Sequence, residues 1–516
     1  MEEKKRRVNP LIPTDYPDPD VIRVDDTYYM VSTTMHFMPG CVILRSYNLV
    51  DWEIYTYVYE TLELTEAECL QKGKNAYGQG MWAATLRYHE GMFYIVFVAN
   101  DTGKTYLSRA RDLKGPWKRN EVEGFYHDCS LLFDDGKAYL AYGNRQIYII
   151  ELNEELTAPK EGGLHKLVVE DPDDVWLGYE GTHWYRIGGK YYLFFIHLRK
   201  GEGTRRSEVC YVSDHLEGPY TGGEVLDTDG GYCNQGVAQG GIVSTPEGKW
   251  YGILFRDSGA VGRLPVLVPV VFQNDVPVFG VQGEVPEELA MTDNRPEHEY
   301  APLYGDEDFE SLQPFWQWNH IPDQAKWCLA EQENGPGKEL RIQTGKICRN
   351  LTQAPNTLTQ RLMYPGSRVT VTVDGSHLMD GDVAGLCLLQ SDYGMVGITR
   401  ENGQYYLVQI GRPGEAEGNM NPEEDATEPV VRAKMPLSHP VVTIRFRAEF
   451  TRMKDVAYYE VRREDAWQSF GEPVKLHFKL DHFCGVRAGL CCYATEQSGG
   501  YGAFRTFRHK WLTDIE

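Results

Sequence analysis

The sequence predicts an all-β protein, in which a five-bladed β-propeller is followed by a β-sandwich of the jelly-roll or concanavalin-like kind. Three observations support this prediction. One hairpin pattern recurs five times in the first half, alternating apolar and polar runs fill the second half, and the composition includes 33 tyrosines, 11 tryptophans and 52 glycines. Aromatic residues favour strands and glycine favours tight turns, so composition and pattern agree on β-structure.

Each copy of the repeat consists of a short apolar run, a tight turn and an aromatic-rich second run. The turns are of the Asp-Gly, Gly-Gly and Pro-x-Gly types that join antiparallel strands. The copies occupy residues 18–31, 82–96, 128–142, 180–195 and 239–254. A spacing of roughly 45–65 residues is too long for a solenoid repeat and leaves room for four strands per copy, which is one propeller blade.

The register of the repeat predicts a polar pocket. In a propeller, equivalent positions of every blade face the same central channel. The residues three places before each hairpin should therefore meet at one end of that channel; they are Asp18, Trp82, Asp128, Glu180 and Gln239. Three of the five are carboxylic acids, although the core of a blade favours apolar side chains at such positions.

The second half of the chain is predicted to form a separate domain. The repeat stops after Phe279, and residues 280–306 are rich in Pro, Glu and Asp, as expected for a linker. Beyond it, the runs 368–373, 441–447 and 474–480 alternate with period two, which is typical of half-buried strands. We therefore expect a propeller over residues 1–300 and a sandwich over residues 301–516.

Charge and hydropathy exclude several classes of partner. The formal charge is −23, from 52 Lys and Arg against 75 Asp and Glu, which argues against binding to nucleic acid or to an anionic membrane surface. No segment approaches the ~18 consecutive apolar residues of a membrane span. The segment from Met1 to Arg7 lacks the apolar stretch of a secretory signal, so we expect a cytoplasmic protein.

The three acids of the predicted pocket suit the hydrolysis of a glycosidic bond with inversion. That reaction needs one carboxylic acid to protonate the leaving oxygen and one carboxylate to activate water, about 6.5–9.5 Å apart. Asp18 and Glu180, from the first and fourth blades, would lie across the channel from each other. Asp128, from the third blade, would lie between them and favour the protonated form of Glu180 by like-charge repulsion.

Each of these residues also has a structural interpretation. Asp18 lies between two prolines and suits a turn, Asp128 suits a cap, and Glu180 suits a surface loop. Trp82 suits either a blade core or a stacking surface for a sugar ring. Arg263 suits either a surface ion pair or a contact with a sugar hydroxyl or an active-site carboxylate. The shared register of the three acids favours a common site.

Several motifs together resemble glycoside hydrolase family 43. They are Asn9-Pro10, the segment Tyr-Pro-Asp-Pro-Asp at 16–20, Trp82-Ala83, the segment His-Asp-Cys-Ser at 127–130, Glu180-Gly181 and Gly262-Arg263. The resemblance spans nearly the whole chain and implies a five-bladed propeller with the C-terminal sandwich of the β-xylosidase branch. It also implies that Asp18 is the general base, Asp128 the residue that tunes and orients the acid, and Glu180 the general acid.

The same resemblance implies a set of substrate contacts. The stretch 32–40 looks like the segment that lines the glycone subsite, with Thr34 beside the sugar and Phe37 as its wall. In β-xylosidases of this family, an aromatic residue of the C-terminal domain closes the pocket, and Phe504 or Phe507 is the expected counterpart. Core packing remains an alternative for both of these phenylalanines.

One position departs from the family pattern. Many members place a cation-ligating histidine beneath the channel, where this chain reads Gln239. We therefore expect no essential metal, although Ca²⁺ near the axis, with Asp257 or His36 as further ligands, stays open.

The leading functional hypothesis is an exo-acting, inverting β-1,4-xylosidase that releases xylose from the non-reducing ends of xylo-oligosaccharides. An α-L-arabinofuranosidase, or an enzyme with both activities, is the nearest alternative. A non-catalytic carbohydrate-binding module is the alternative from another class, and the three acids argue against it. The resemblance also implies a homo-oligomer.

Overall fold

The computed structural model describes residues 4–172, 174–333, 335–412 and 420–514. Regular structure in these ranges is almost entirely β. The helices are short 3-10 turns at Gly259–Val261, Gln324–Lys326, Leu351–Gln353 and Thr451–Met453. In the described residues, no helix has the length and apolar character that a bilayer crossing requires.

In the described residues of the first half there are 23 strands. They are β1 (Lys4–Arg7), β2 (Asp20–Val24), β3 (Thr27–Ser32), β4 (Phe37–Met38), β5 (Gly40–Ser46), β6 (Glu53–Tyr59), β7 (Thr85–His89), β8 (Met92–Ala99), β9 (Lys104–Ala110), β10 (Lys118–Val122), β11 (Ser130–Asp134), β12 (Lys137–Asn144), β13 (Gln146–Glu151), β14 (His165–Glu170), β15 (Val175–Ile187), β16 (Lys190–Arg199), β17 (Ser207–Ser213), β18 (Thr221–Leu226), β19 (Val237–Ser244), β20 (Trp250–Asp257), β21 (Arg263–Gln273), β22 (Val276–Phe279) and β23 (Glu288–Met291).

Five four-stranded antiparallel sheets confirm the predicted propeller. Their strand orders are β2-β3-β5-β6, β7-β8-β9-β10, β11-β12-β13-β14, β15-β16-β17-β18 and β19-β20-β21-β22. The predicted turns join the first two strands of each blade, and pairs such as Glu90-Gly91 and Asp135-Gly136 have positive φ at both positions. This left-handed backbone matches the twist of the flanking strands, which explains the Asp-Gly and Gly-Gly signals.

The second half forms the predicted sandwich. Its strands are β24 (Gln317–Asn319), β25 (Trp327–Glu331), β26 (Lys338–Gln343), β27 (Leu358–Arg361), β28 (Gly366–Asp374), β29 (Asp382–Leu389), β30 (Gly394–Glu401), β31 (Gln404–Gly411), β32 (Val430–Leu437), β33 (Val441–Glu449), β34 (Val456–Arg463), β35 (Ala466–Ser469), β36 (Val474–Lys475), β37 (Arg487–Ala494) and β38 (Tyr501–Trp511).

Two large sheets build this sandwich. One has the order β32-β31-β30-β29-β37-β27-β24-β4, and the other has the order β25-β26-β38-β28-β33-β34-β35, with β36 paired to β34. Apolar side chains from both sheets form a continuous buried core, with Leu386, Ile444 and Phe446 among its fully buried members. Strand β4 comes from the propeller half, since Phe37 and Met38 pair with Asn319 and Trp318. The two halves therefore share a sheet.

Candidate active site

The first blade positions Asp18 just before β2 in a left-handed backbone conformation, with φ of 52°. The side chain is buried, and both carboxylate oxygens have partners. Oδ1 accepts a hydrogen bond from Nη1 of Arg263 at 3.0 Å, and Oδ2 accepts one from the Thr33 hydroxyl at 2.7 Å. These donors fix the orientation of the carboxylate and stabilise its negative charge. Non-glycine residues with such backbone strain are frequent at functional sites.

The third blade positions Asp128 in the same way, with φ of 46° just before β11. Its Oδ2 accepts a hydrogen bond from the backbone N–H of Gly181 at 3.1 Å, which ties it to the residue after Glu180. Burial raises the pKa of Asp128 to about 6; His127 opposes this shift, whereas the charges of Glu180 and Asp18 add to it. The three acids therefore interact electrostatically at one end of the channel.

Glu180, on β15, is less buried than the two aspartates, with 19% of its side chain exposed. Its Oε2 accepts a hydrogen bond from the side-chain amide of Asn144, and Nε2 of His127 lies 3.3 Å from the same oxygen. Gly181 has φ of 65°, and a β-carbon there would lie 2.5 Å from the side chain of Gln239. Only glycine fits this position, so Gly181 lets the fourth blade bend and present Glu180.

His127 lies between the other two side chains. Its Nε2 is 3.3 Å from Oε2 of Glu180 and 3.6 Å from Oδ2 of Asp128. The carboxylate of Asp128 raises the pKa of His127 to about 9, and Glu180 acts in the same direction against partial desolvation. In the described part of the chain, His127, Asp128 and Glu180 are the one group of three or more His, Cys, Asp or Glu residues spaced closely enough to hold a metal ion, with ligand atoms all within 4.8 Å of one another.

Two arginines add positive charge beside the acids. Arg263 is buried and, besides Asp18, lies 3.5 Å from Oδ1 of Asp257 through its Nε. Arg206 pairs with the other oxygen of Asp257. Burial lowers the pKa of Arg206 to about 10, the charge of Arg263 adds to this effect, and the charges of Glu180 and Asp18 oppose it. The charges of Asp18 and Glu180, which come from different blades, therefore act on the same arginine.

Aromatic side chains from both domains line the mouth of the site. Trp82 is half-buried, and its indole N–H donates to the Gly78 carbonyl. Its ring lies 5.9 Å from His127 and 5.4 Å from Phe483 of the sandwich domain, measured between centroids. The Arg263 guanidinium lies 4.4 Å from the Phe483 centroid, which is a cation–π contact. Phe483 therefore reaches from the second domain to the end of the channel where the three acids lie.

A buried carboxylate links the Phe483 loop to the propeller. Asp15 accepts hydrogen bonds from the backbone N–H groups of Arg263 and Gly485, each at 2.8 Å. Val486 donates a further backbone hydrogen bond to Ala260. One carboxyl group thus positions both the arginine beside Asp18 and the loop that carries Phe483.

The structure contradicts four of the predicted substrate contacts. Phe37 is 1% exposed and lies beneath the Arg487 guanidinium at 3.4 Å, because β4 belongs to the sandwich sheet. Thr34 is 1% exposed, and its hydroxyl accepts the backbone N–H of Cys41. The neighbouring Thr33, not Thr34, contacts Asp18, through its hydroxyl.

Phe504 and Phe507 are fully buried in the sandwich core. Strict alternation along β38 would direct them to opposite faces, but Thr506 has φ of 56° and the register shifts nearby, so both side chains point inward. The prediction that either one closes the pocket is wrong. Phe483 is the aromatic side chain of the second domain that reaches the site.

Each of the candidate cation ligands has other partners in the structure. Gln239 is buried against Gly181, and its backbone N–H donates to Glu208. Asp257 pairs with Arg206 and Arg263. His36 is buried against Phe37, Tyr77 and His320.

The sequence did not assign roles to Thr33, His127, Asn144, Arg206 or Phe483. Thr33 precedes Thr34 and His127 precedes Asp128, both of which were predicted site residues. This adjacency is the sequence signal that could have identified Thr33 and His127. Asn144 ends β12 and Arg206 precedes β17, where no motif marks either residue. Phe483 lies in an irregular loop and has φ of 50°. A sequence pattern that depends on strand periodicity cannot predict the position of such a residue.

Comparison with known proteins decides the family. Residues 8–277 match the model of glycosyl hydrolases family 43. The chain belongs to glycoside hydrolase family 43. Residues 306–510 match the β-xylosidase C-terminal concanavalin A-like domain. Both matches confirm the predicted family and the predicted kind of sandwich, and the chain is a glycoside hydrolase.

Two curated relatives resemble this family 43 enzyme over most of its length. A β-xylosidase of Formosa agariphila is 27% identical over 79% of this chain and 77% of its own. A non-reducing end α-L-arabinofuranosidase of Bacteroides ovatus is 28% identical over 77% of this chain and 76% of its own.

Among solved structures, a bifunctional GH43-CE protein of Bacteroides eggerthii superposes with a TM-score of 0.88 at 38% identity. The match covers 98% of this chain and 64% of that one, so the present chain spans less than two thirds of its solved relative.

Proposed function

We propose that this enzyme is an exo-acting β-1,4-xylosidase that inverts the anomeric configuration and releases xylose from the non-reducing ends of xylo-oligosaccharides. The observation that supports it most is the meeting of Asp18, Asp128 and Glu180 at one end of the propeller channel, each held by named donors. The name of the Formosa agariphila relative, a β-xylosidase, supports the choice of sugar.

In the proposed reaction, Asp18 is the general base. Its two donors, Arg263 and Thr33, hold the carboxylate in place, and it takes a proton from water as the water oxygen bonds to the anomeric carbon. The glycosidic bond breaks at the same time, and Glu180 gives its proton to the leaving oxygen. Xylose leaves with inverted configuration, after which solvent returns Asp18 and Glu180 to their starting protonation states.

The aromatic mouth supports action at chain ends. Trp82 offers a half-buried ring for stacking on a sugar, and Phe483 narrows the opening from the sandwich side. An enzyme that cleaves inside a polysaccharide needs a groove that is open at both ends, so that the substrate chain can pass through it. The mouth of this site is instead bounded by the two domains.

A direct rate comparison tests the substrate. The purified enzyme, treated with EDTA, is given xylobiose or an α-L-arabinofuranosyl-substituted xylo-oligosaccharide, with and without Ca²⁺. Faster release of xylose, with α-xylose as the first-formed anomer by proton NMR, supports the proposal. Faster release of arabinose supports the alternative that the arabinofuranosidase relative suggests, and β-xylose contradicts inversion.

The Ca²⁺ arm tests the proposed absence of an essential metal. Since Gln239 packs against Gly181 and Asp257 pairs with two arginines, we expect equal rates with EDTA and with Ca²⁺. A rate that depends on Ca²⁺ would contradict this part of the proposal.

A further inference from the structure

The histidine between the modulator and the acid suggests a role of its own. His127 precedes β11, its ring lies against Trp82, and 24% of its side chain is exposed. Its Nε2 is within 3.6 Å of one oxygen from each of two carboxylates. A neutral imidazole nitrogen donates to one acceptor at most, whereas a cation stabilises both carboxylates at once.

We propose that His127 is a positioning residue which, as an imidazolium ion, neutralises Asp128 and holds Oε2 of Glu180 as an acceptor, so that the acidic proton resides on Oε1. This inference rests on the proposed general-acid role of Glu180. The raised pKa of His127, about 9, agrees with a charged ring at neutral pH.

The contacts on Glu180 explain the choice of oxygen. Oε2 lies beside two donors, the amide of Asn144 and Nε2 of His127. A carboxylic acid with both donors on one oxygen carries its proton on the other, because a proton on Oε2 would oppose those hydrogen bonds. Oε1 is then the oxygen that protonates the leaving group.

The charge balance makes the inference testable. Asp128 and His127 form a pair with no net charge next to Glu180. The other charged groups that act on this pair are Asp18 on the first blade and Arg206, which precedes β17. Removing Asp128 leaves the imidazolium without its counter-anion over the pH range in which the ring stays charged, and in that range Glu180 loses its proton more easily. Removing His127 leaves an uncompensated anion, and Glu180 keeps its proton to higher pH. The two changes therefore act in opposite directions.

The experiment measures kcat/KM on xylobiose from pH 5 to pH 10 for wild type, Asp128→Asn, His127→Gln and the double variant. The alkaline limb of the pH profile is the range in which kcat/KM falls as the pH rises. We expect this limb to move to lower pH in Asp128→Asn and to higher pH in His127→Gln. Each shift should be about one pH unit, as for a charge within hydrogen-bond distance. The double variant should return to the wild-type limb. His439→Gln, at an exposed histidine of the sandwich, is the matched control and should change nothing.

Limbs that stay in place in His127→Gln, or that move in the same direction in both single variants, would overturn the inference. A second measurement needs no turnover. The Cε1 proton of His127, assigned by its absence from His127→Gln, should show a charged ring at pH 8 in wild type and titrate at lower pH in Asp128→Asn. Titration of the wild-type ring near 6.5 would overturn the inference as well.

These outcomes separate the two proposals. A wild-type enzyme that releases neither sugar contradicts the proposed function, while the NMR titration still tests the pairing of His127. Hydrolysis of xylobiose with no opposite movement of the limbs leaves the function in place and contradicts only the role of His127.

Discussion

The blade side and the sandwich side of the pocket are held in place by different forces. On the blade side, Asp18 and Asp128 have strained backbones, and their oxygens are fixed by charged or polar donors at about hydrogen-bond distance. On the sandwich side, Phe483 is held by ring contacts and by the loop hydrogen bonds around Gly485. The difference teaches that polar contacts within the propeller fix the orientation of the acids, whereas the sandwich contributes an aromatic side chain at the mouth of the site.

The largest effect is expected on the blade side, from Asp18→Asn. Loss of the general base should lower kcat on xylobiose by about 10³-fold with an unchanged fold. Azide needs no base, so it should restore turnover and give α-xylosyl azide. Asp26→Asn, at a surface turn of the same blade, is the matched control. Wild-type turnover by Asp18→Asn would contradict the assignment of the base.

Phe504→Ala separates the sandwich core from the pocket. Because Phe504 is fully buried, its truncation should lower the free energy of unfolding by about 3–5 kcal/mol, measured by urea denaturation. The kcat of the folded fraction should equal that of wild type at 20 °C. A specific loss of kcat, with stability unchanged, would return Phe504 to the substrate site.

Phe483→Ala is expected to have a smaller effect, and on binding rather than on chemistry. Removal of the ring should raise KM for xylobiose about tenfold, with little change in kcat. A tenfold change corresponds to about 1.4 kcal/mol of binding free energy, which is the size expected for one aromatic contact. Leu480→Ala, at a half-exposed residue of the same loop, serves as the control. An unchanged KM in Phe483→Ala would show that the sandwich does not shape the mouth.

The smallest effect concerns acid stability on the sandwich side. His482 is stacked on Tyr77 at 4.0 Å, and burial lowers the pKa of His482 to about 4. The unfolded chain binds a proton at this residue near pH 6.5 but the folded protein does not until about pH 4. The contribution of His482 to the free energy of unfolding is therefore fully present above pH 6.5 and decreases as the pH falls from 6.5 to 4.

His482→Gln should therefore lose less stability than wild type when the pH is lowered from 7.5 to 4.5. The loss is measured in each protein as the decrease in the urea concentration at the midpoint of unfolding. An equal loss in both proteins would contradict the expectation. The comparison is made within each protein, so the loss of the stacking contact in the variant does not affect it.

How much of the site the sequence revealed depends on symmetry. The blade repeat predicted Asp18, Trp82, Asp128 and Glu180 together, because equivalent positions of a propeller converge whatever their distance along the chain. The sandwich has no such repeat. Its pocket residue, Phe483, lies in an irregular loop, while the bulge near Thr506 reversed the expected exposure of Phe507. The prediction that Phe37 contacts the substrate was wrong because β4 pairs with a strand of the sandwich domain. The local sequence pattern around Phe37 contains no information about such a distant partner.

Strand β4 also determines whether the two halves can be separated. It lies at the end of the first sandwich sheet, beside β24, so a fragment beginning at residue 301 would leave β24 as an unpaired edge. Exposed edges of this kind recruit further strands and promote aggregation. The isolated sandwich is therefore expected to self-associate, and a peptide containing Phe37–Met38 would compete for that edge.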